Sequence, residues 1–125
     1  MVDSAESSKG SLTAKVAAAC RAIESRRSPE ERLFNDPYAA PFAEPEGWEL
    51  GERTGGFTPR RMQLVATKTR FIDDYLMRCL KESAQQVVVL GAGYDSRGLR
   101  IEELQREGRR VFEVDHPATQ RSKVE

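Results

Sequence analysis

Histidine is nearly absent from this chain: His116 stands alone among 125 residues. Cysteine occurs twice, at Cys20 and Cys79, both inside stretches with helical spacing. So few scattered ligands cannot build a zinc centre, and no metal site is expected. The cysteines read as reduced packing residues of a cytosolic protein, not as a disulfide. A charge of one sign is missing too. Twenty basic residues balance twenty acidic ones, so no net field steers the chain toward nucleic acid or an anionic membrane. The longest apolar run, Val87 to Leu90, is far below the ~20 residues that span a bilayer. Met1 to Gly10 is polar and has no apolar segment of the kind a secretory signal needs. These absences leave a cytoplasmic, globular chain of one domain at most.

What is present is strong punctuation. Residues 1–10 read as a disordered tail. From Ser11, the spacing of Leu12, Val16, Ala19, Cys20 and Ile23 predicts a helix ending near Arg27. Ser28-Pro29-Glu30-Glu31 has the grammar of a capping box and opens a short piece carrying Leu33 and Phe34. Asp36-Pro37 repeats the cap-then-proline pattern before Tyr38, Ala39 and Phe42. Pro45 and Gly47, Gly51, Gly55 and Gly56 mark 44–57 as a loop, pinned to something apolar by Trp48 and Phe57. Thr58-Pro59 begins the strongest helix, running to about Ser83 with Met62, Val65, Ile72, Leu76, Cys79 and Leu80 as its apolar stripe. Arg60, Arg61 and Lys68 read as a solvated face.

The period then changes. Gln85 to Leu90 is a short valine-rich run, as expected of a parallel strand buried on both faces. Gly91-Ala92-Gly93 breaks it, a helix is predicted over 97–106, Gly108 ends that helix, and Arg110 to Asp115 forms a second strand. A helix begins again at Ala118. The fold class expected is α/β: a helical region over 11–83, then from 84 the first βαβ unit of a Rossmann-like parallel sheet. Such a sheet needs more strands than two, so the chain reads as an excerpt of a larger domain.

The chemistry sits in VVVLGAGYDSRGLR, Val87 to Arg100. Glycines directly after a buried strand let a ligand approach the backbone, and the following helix offers free N–H groups. Asp115 ends the second strand about 20 residues on, where a carboxylate accepts hydrogen bonds from ribose hydroxyls. Strand, Gly91-Ala92-Gly93 turn, helix and Asp115 together predict a nucleoside-cofactor site. The third glycine of the dinucleotide fingerprint is replaced by Ser96, and Asp95 puts a carboxylate in the turn that would repel a diphosphate. A cationic sulfonium cofactor suits that carboxylate better, by direct contact or because the carboxylate orders the turn. The bland alternatives are a mere cap for Asp95 or Asp115 and an ion-pair role for Glu113.

GAGYDSR at Gly91–Arg97, FEVDHP at Phe112–Pro117 and TKTRFIDDYL at Thr67–Leu76 resemble the leucine carboxyl methyltransferase family. ARAIESRR…RLFNDPYA is similar to the N-terminal signature of one of its branches, and the resemblance spans roughly residues 13–123. It implies a class I S-adenosylmethionine-dependent methyltransferase sheet preceded by extra helices. It also implies that Gly91 and Gly93 underlie the cofactor, that Asp115 binds its ribose, and that Arg70 pairs with its methionine carboxylate. Arg21 is expected at the same end. The implied reaction is in-line methyl transfer to an oxygen of a small molecule or a protein carboxylate, without a metal. The competing readings are a nicotinamide-dependent oxidoreductase on the same βαβ unit, and a truncated, non-catalytic module. No residue of the sequence identifies an acceptor-activating base.

Overall fold

The computed structural model describes residues 10–125; the expected tail thus lies almost wholly outside the described residues. Helix α1 spans Leu12–Ser25, capped by the Ser11 hydroxyl, which accepts the Ala14 N–H at 3.3 Å. Helix α2 spans Ala39–Thr54, α3 Pro59–Glu82 and α4 Arg97–Arg100. A 3-10 turn over Glu102–Gln105 leads to strand β2, Arg110–Val114, which pairs in parallel with β1, Gln86–Leu90. Helix α5 is Pro117–Val124. The result is a mixed α/β chain, mostly helical, around a two-stranded parallel sheet in the register Gln86↔Arg110 to Leu90↔Val114.

Four expectations are corrected. The 44–57 stretch is helix as far as Thr54, and only 55–57 turn. Glu44 takes φ 48°, ψ 172° and kinks α2, and Pro45 restarts it where a proline's fixed φ suits a first turn. Its glycines serve close approach: a Cβ on Gly47 would stand 2.8 Å from the Lys15 backbone, and one on Gly51 2.2 Å from the Phe57 ring. Composition marks such glycines as breakers, but here they let α1 and Phe57 lie against the helix. The piece opened by Ser28 is one turn only, closed by Glu31 and Arg32 N–H to the Ser28 carbonyl. Glu24 takes the Leu33 N–H at 2.7 Å and pulls the chain back onto α1 before a helix can grow.

The helix expected over 97–106 breaks at Ile101, whose φ −92°, ψ 106° turns its side chain into a core with Leu80 and Leu104. The sheet, finally, is covered on one face only. Val87 and Val111 pack on that core with Leu76 and Met77. On the other face Val88, Leu90, Phe112 and Val114 are exposed, because α3 and the 97–105 segment share the same side.

A second core holds the helical layer together: Ala18, Ala19, Ala43 and Tyr94, with Ala14, Phe42, Trp48 and Phe57 around them. Trp48 and Phe57 do pin 44–57, their rings 5.7 Å apart. Both cysteines are free, and Cys20 is buried with its thiol toward the Gly56 carbonyl. Buried Lys15 clamps α1 to the α2 kink, its Nζ 2.7 Å from Glu44.

The two cores and the open face give opposite expectations for two leucines. Leu80→Ala should cost about 2–5 kcal/mol in urea unfolding, as for other buried leucines. Leu90→Ala should stay within roughly 0.5 kcal/mol, since its side chain is already 76% exposed. The Lys15 clamp has a pH signature. Burial alone lowers the Lys15 pKa, but Glu44 by hydrogen bond and charge, with Tyr94 and Glu46, outweighs it and raises the value above 10.5. A raised native pKa makes the clamp's contribution complete below pH 10.5 and loses it as pH climbs through the native value. The stability gap between this chain and Lys15→Met should therefore hold constant from neutral pH to about 10 and narrow above it.

Candidate cofactor site

The site begins where β1 ends. Gly91 at φ 62° donates its N–H to the Val114 carbonyl at 2.8 Å, and Ala92 follows at 3.2 Å, which pins the turn to the end of β2. Gly93, at φ 52°, donates its N–H to the Asp115 carboxylate. Asp115 thus sits beneath the turn and ties the second strand's end to it. Both glycines occupy the left-handed region, which costs any other residue about 1–2 kcal/mol.

Tyr94 then leaves the turn and is buried, its ring 5.6 Å from Phe42 and its hydroxyl 2.9 Å from Ser122 on α5. Its carbonyl accepts the Arg21 Nη2 at 2.6 Å. Asp95 accepts the Arg97 backbone N–H at 2.8 Å and also pairs with the Arg97 guanidinium. Its carboxylate therefore orders the turn and caps α4.

Helices α1 and α3 close over this turn. Between them lies a cavity of about 260 Å³, lined by Ala14, Ala17 and Arg21, by Val65, Lys68, Thr69 and Ile72, and by Gly91 to Asp95 with Arg97. The structure thus brings Arg21, Gly91, Ala92, Gly93 and Asp95 together, with Asp115 bonded from below. Arg70 does not join them. Its Nε binds Asp74 at 2.9 Å and its Nη1 the Leu33 carbonyl at 2.8 Å, outside the cavity lining.

Lys68 is exposed, as the sequence reading expects, and it also lines the cavity. A signal for it existed: it lies three residues after Val65 and four before Ile72, on the face of the apolar stripe, whereas Arg70 does not. No hydrogen bond or ion pair engages Lys68 among the described residues. Arg21 and Arg97, by contrast, are committed. Arg21 Nε binds Asp36 at 2.9 Å, and Arg97 Nε binds Asp73 at 2.7 Å. Asp36 also accepts the Ser96 hydroxyl at 2.6 Å, and Arg100 reaches Asp73 at 2.7 Å and Ser96 at 3.1 Å. One buried network therefore ties α1, the 26–38 connection, α3 and α4 to the turn. No spacing rule announces Asp36 or Asp73, because their partners lie 60 and 24 residues away.

The family model described as leucine carboxyl methyltransferase matches residues 14–125. A protein of Saccharopolyspora erythraea designated an S-adenosyl-L-methionine-dependent methyltransferase is 38% identical over 112 residues, covering 85% of this chain and 37% of its own length. Similar designations belong to relatives from Frankia alni, 41% identical, and Streptomyces coelicolor, also 41% identical, each covering 85% of this chain and 38% of itself. The chain thus spans well under half the length of these curated relatives.

The turn's tight fit makes its two glycines unequal. A Cβ on Gly93 would stand 3.0 Å from the Ala14 Cβ, while one on Gly91 meets nothing within 4 Å. Gly91→Ala should cost only its backbone strain, about 1 kcal/mol. Gly93→Ala should cost clearly more, roughly 2–3 kcal/mol, in the same thermal melts, because α1 must also shift.

Proposed function

The chain belongs to the leucine carboxyl methyltransferase family, and on that premise we propose that it forms the cofactor-binding part of an S-adenosylmethionine-dependent O-methyltransferase. The reading assigns residues 11–83 to a helical region that closes over the site, and residues 84–125 to the start of a Rossmann-like domain. The observation that carries it is the cavity itself: the glycine turn and Lys68, which has no hydrogen bond or ion pair among the described residues, both line it, and the strand-end Asp115 accepts the Gly93 N–H.

The donor set suits the cofactor. Gly91 leaves open space where a side chain would project. Asp115 is assigned to the ribose hydroxyls: its Oδ2 accepts the Gly93 N–H and its Oδ1 the His116 N–H, and a carboxylate has further lone pairs to accept from a ligand. Lys68, unpaired among the described residues, is the cation of the lining assigned here to the amino-acid carboxylate, while Arg70 holds the Leu33 carbonyl. At about 260 Å³ the cavity is smaller than the ~300–1,000 Å³ usual for whole ligands, so it suits one end of the cofactor.

When bound, S-adenosylmethionine supplies an electrophilic methyl on a sulfonium. The chain's residues align it and exclude water, since charge disperses as the methyl leaves and little new charge needs stabilising. A carboxylate acceptor needs no base, and a hydroxyl acceptor needs one from elsewhere. The acceptor is proposed as a small molecule or a protein carboxylate. A cytoplasmic site of action accords with balanced charge, and no helix among the described residues is long and apolar enough to cross a membrane.

A dinucleotide reading is weaker for a structural reason. Phosphate binding at a glycine turn uses free N–H groups at the helix start, and Asp95 already occupies the Arg97 N–H. Calorimetric titration with S-adenosylhomocysteine should show binding to this chain and none for NAD. Asp115→Ala and Lys68→Ala should each weaken it by about tenfold or more, the loss of one charge-assisted hydrogen bond. Equal binding of NAD, or an unchanged Asp115→Ala, would rule the reading out.

A further inference from the structure

Asp36 is a fully enclosed charge, its side chain 0% exposed. One oxygen accepts Arg21 Nε at 2.9 Å and the Ser96 hydroxyl at 2.6 Å, with Arg100 Nε 4.0 Å away. The other accepts the Tyr38 N–H at 3.1 Å, and the Asp36 N–H donates to Ser25. None of these groups touches the cavity through Asp36 itself. Two of them act on it at one remove. Arg21, held by Asp36, grips the Tyr94 carbonyl at 2.6 Å. Ser96, held by Asp36, is the N-cap residue of α4, directly after the turn.

We infer that Asp36 is a positioning residue for the cofactor site: through Arg21 and Ser96 it fixes the Tyr94–Asp95 segment of the glycine turn in its ligand-ready shape. This rests on the cofactor reading above. The physical reason is preorganisation. A turn with two left-handed glycines has many alternative conformations, and a ligand that must select one loses affinity in proportion. A buried carboxylate with two rigid donors on the turn's flanks removes those alternatives before a ligand arrives. Ser96 then has a reason to stand where a dinucleotide fingerprint has glycine: its hydroxyl is the handle.

The test compares Asp36→Asn and Ser96→Ala with Leu80→Ala, which loosens the other core and so reports the effect of general destabilisation. Amide hydrogen exchange of the full chain is followed under conditions where circular dichroism shows each variant folded. Affinity for S-adenosylhomocysteine is measured alongside. Asp36→Asn and Ser96→Ala should speed exchange at Tyr94 to Arg97 more than Leu80→Ala does, and weaken binding by about tenfold or more. Ser96→Thr, which keeps the hydroxyl, should restore both. Turn amides no faster than in Leu80→Ala would overturn the inference, as would a loosened turn with unchanged affinity. If the turn loosens but the unaltered chain takes up no S-adenosylhomocysteine, the hold on the turn stands and the cofactor reading is what falls.

Discussion

A carboxylate withdrawn completely from water must be paired and hydrogen-bonded to keep its charge without a heavy cost. Asp36 meets that demand with partners from three separate segments, and the rest of the arrangement depends on it. Because Arg21 comes from α1, that helix is drawn down over the turn. Because Ser96 caps the start of α4 and Arg100 ends it, the turn is held from the helix that follows it. Asp73 extends the network onto α3 through Arg97 and Arg100. Removing one partner of such a network commonly costs about 3–5 kcal/mol, since the other charge is left stranded.

The network's chemical consequence is a division of labour among cations. Arg21, Arg97 and Arg100 are rigid forks spent on internal carboxylates and carbonyls. Lys68 is left unspent on the cavity wall, a flexible point charge suited to a ligand. Asp95 follows the same logic in reverse: its charge is neutralised by Arg97, so it shapes the turn instead of facing the solvent. Small residues complete the picture. Ala14 and Ala17 let α1 lie close enough to roof the cavity, and Tyr94 plugs the turn into the helical core from behind.

Local chemistry was legible in the sequence where the cause was local. The α3 helix, both strands and the glycine turn follow from periodicity and backbone freedom, and the structure places them within a residue or two; Gly108 falls in the turn before β2 and ends no helix. The Gly91-Ala92-Gly93 turn and Asp115 were found as a pair because strand ends and acids have a fixed spacing. What stayed hidden was set by tertiary contact. Gly47 and Gly51 look like breakers until Lys15 and Phe57 are seen against them. Ile101 ends a helix because a core needs its side chain. Arg70 matched a family motif, but its neighbour in space is the Leu33 carbonyl, which no periodicity reports. Lys68 is exposed, as its charge suggests, and its position on the face of the apolar stripe also sets it in the cavity lining.

The open sheet face bears on how the chain works. Val88, Leu90, Phe112 and Val114 present an apolar strip beside the very strands that carry Gly91 and Asp115. The site therefore rests on one finished face and one exposed one. The most direct measurement is a heteronuclear NMR titration of this chain with S-adenosylhomocysteine. Saturable shifts should concentrate at Ala14, Thr69 and Gly91 to Asp95, with Lys68 and Asp115 moving together. Saturable shifts centred elsewhere, with the glycine turn unmoved, would show that the cofactor does not bind where these residues converge.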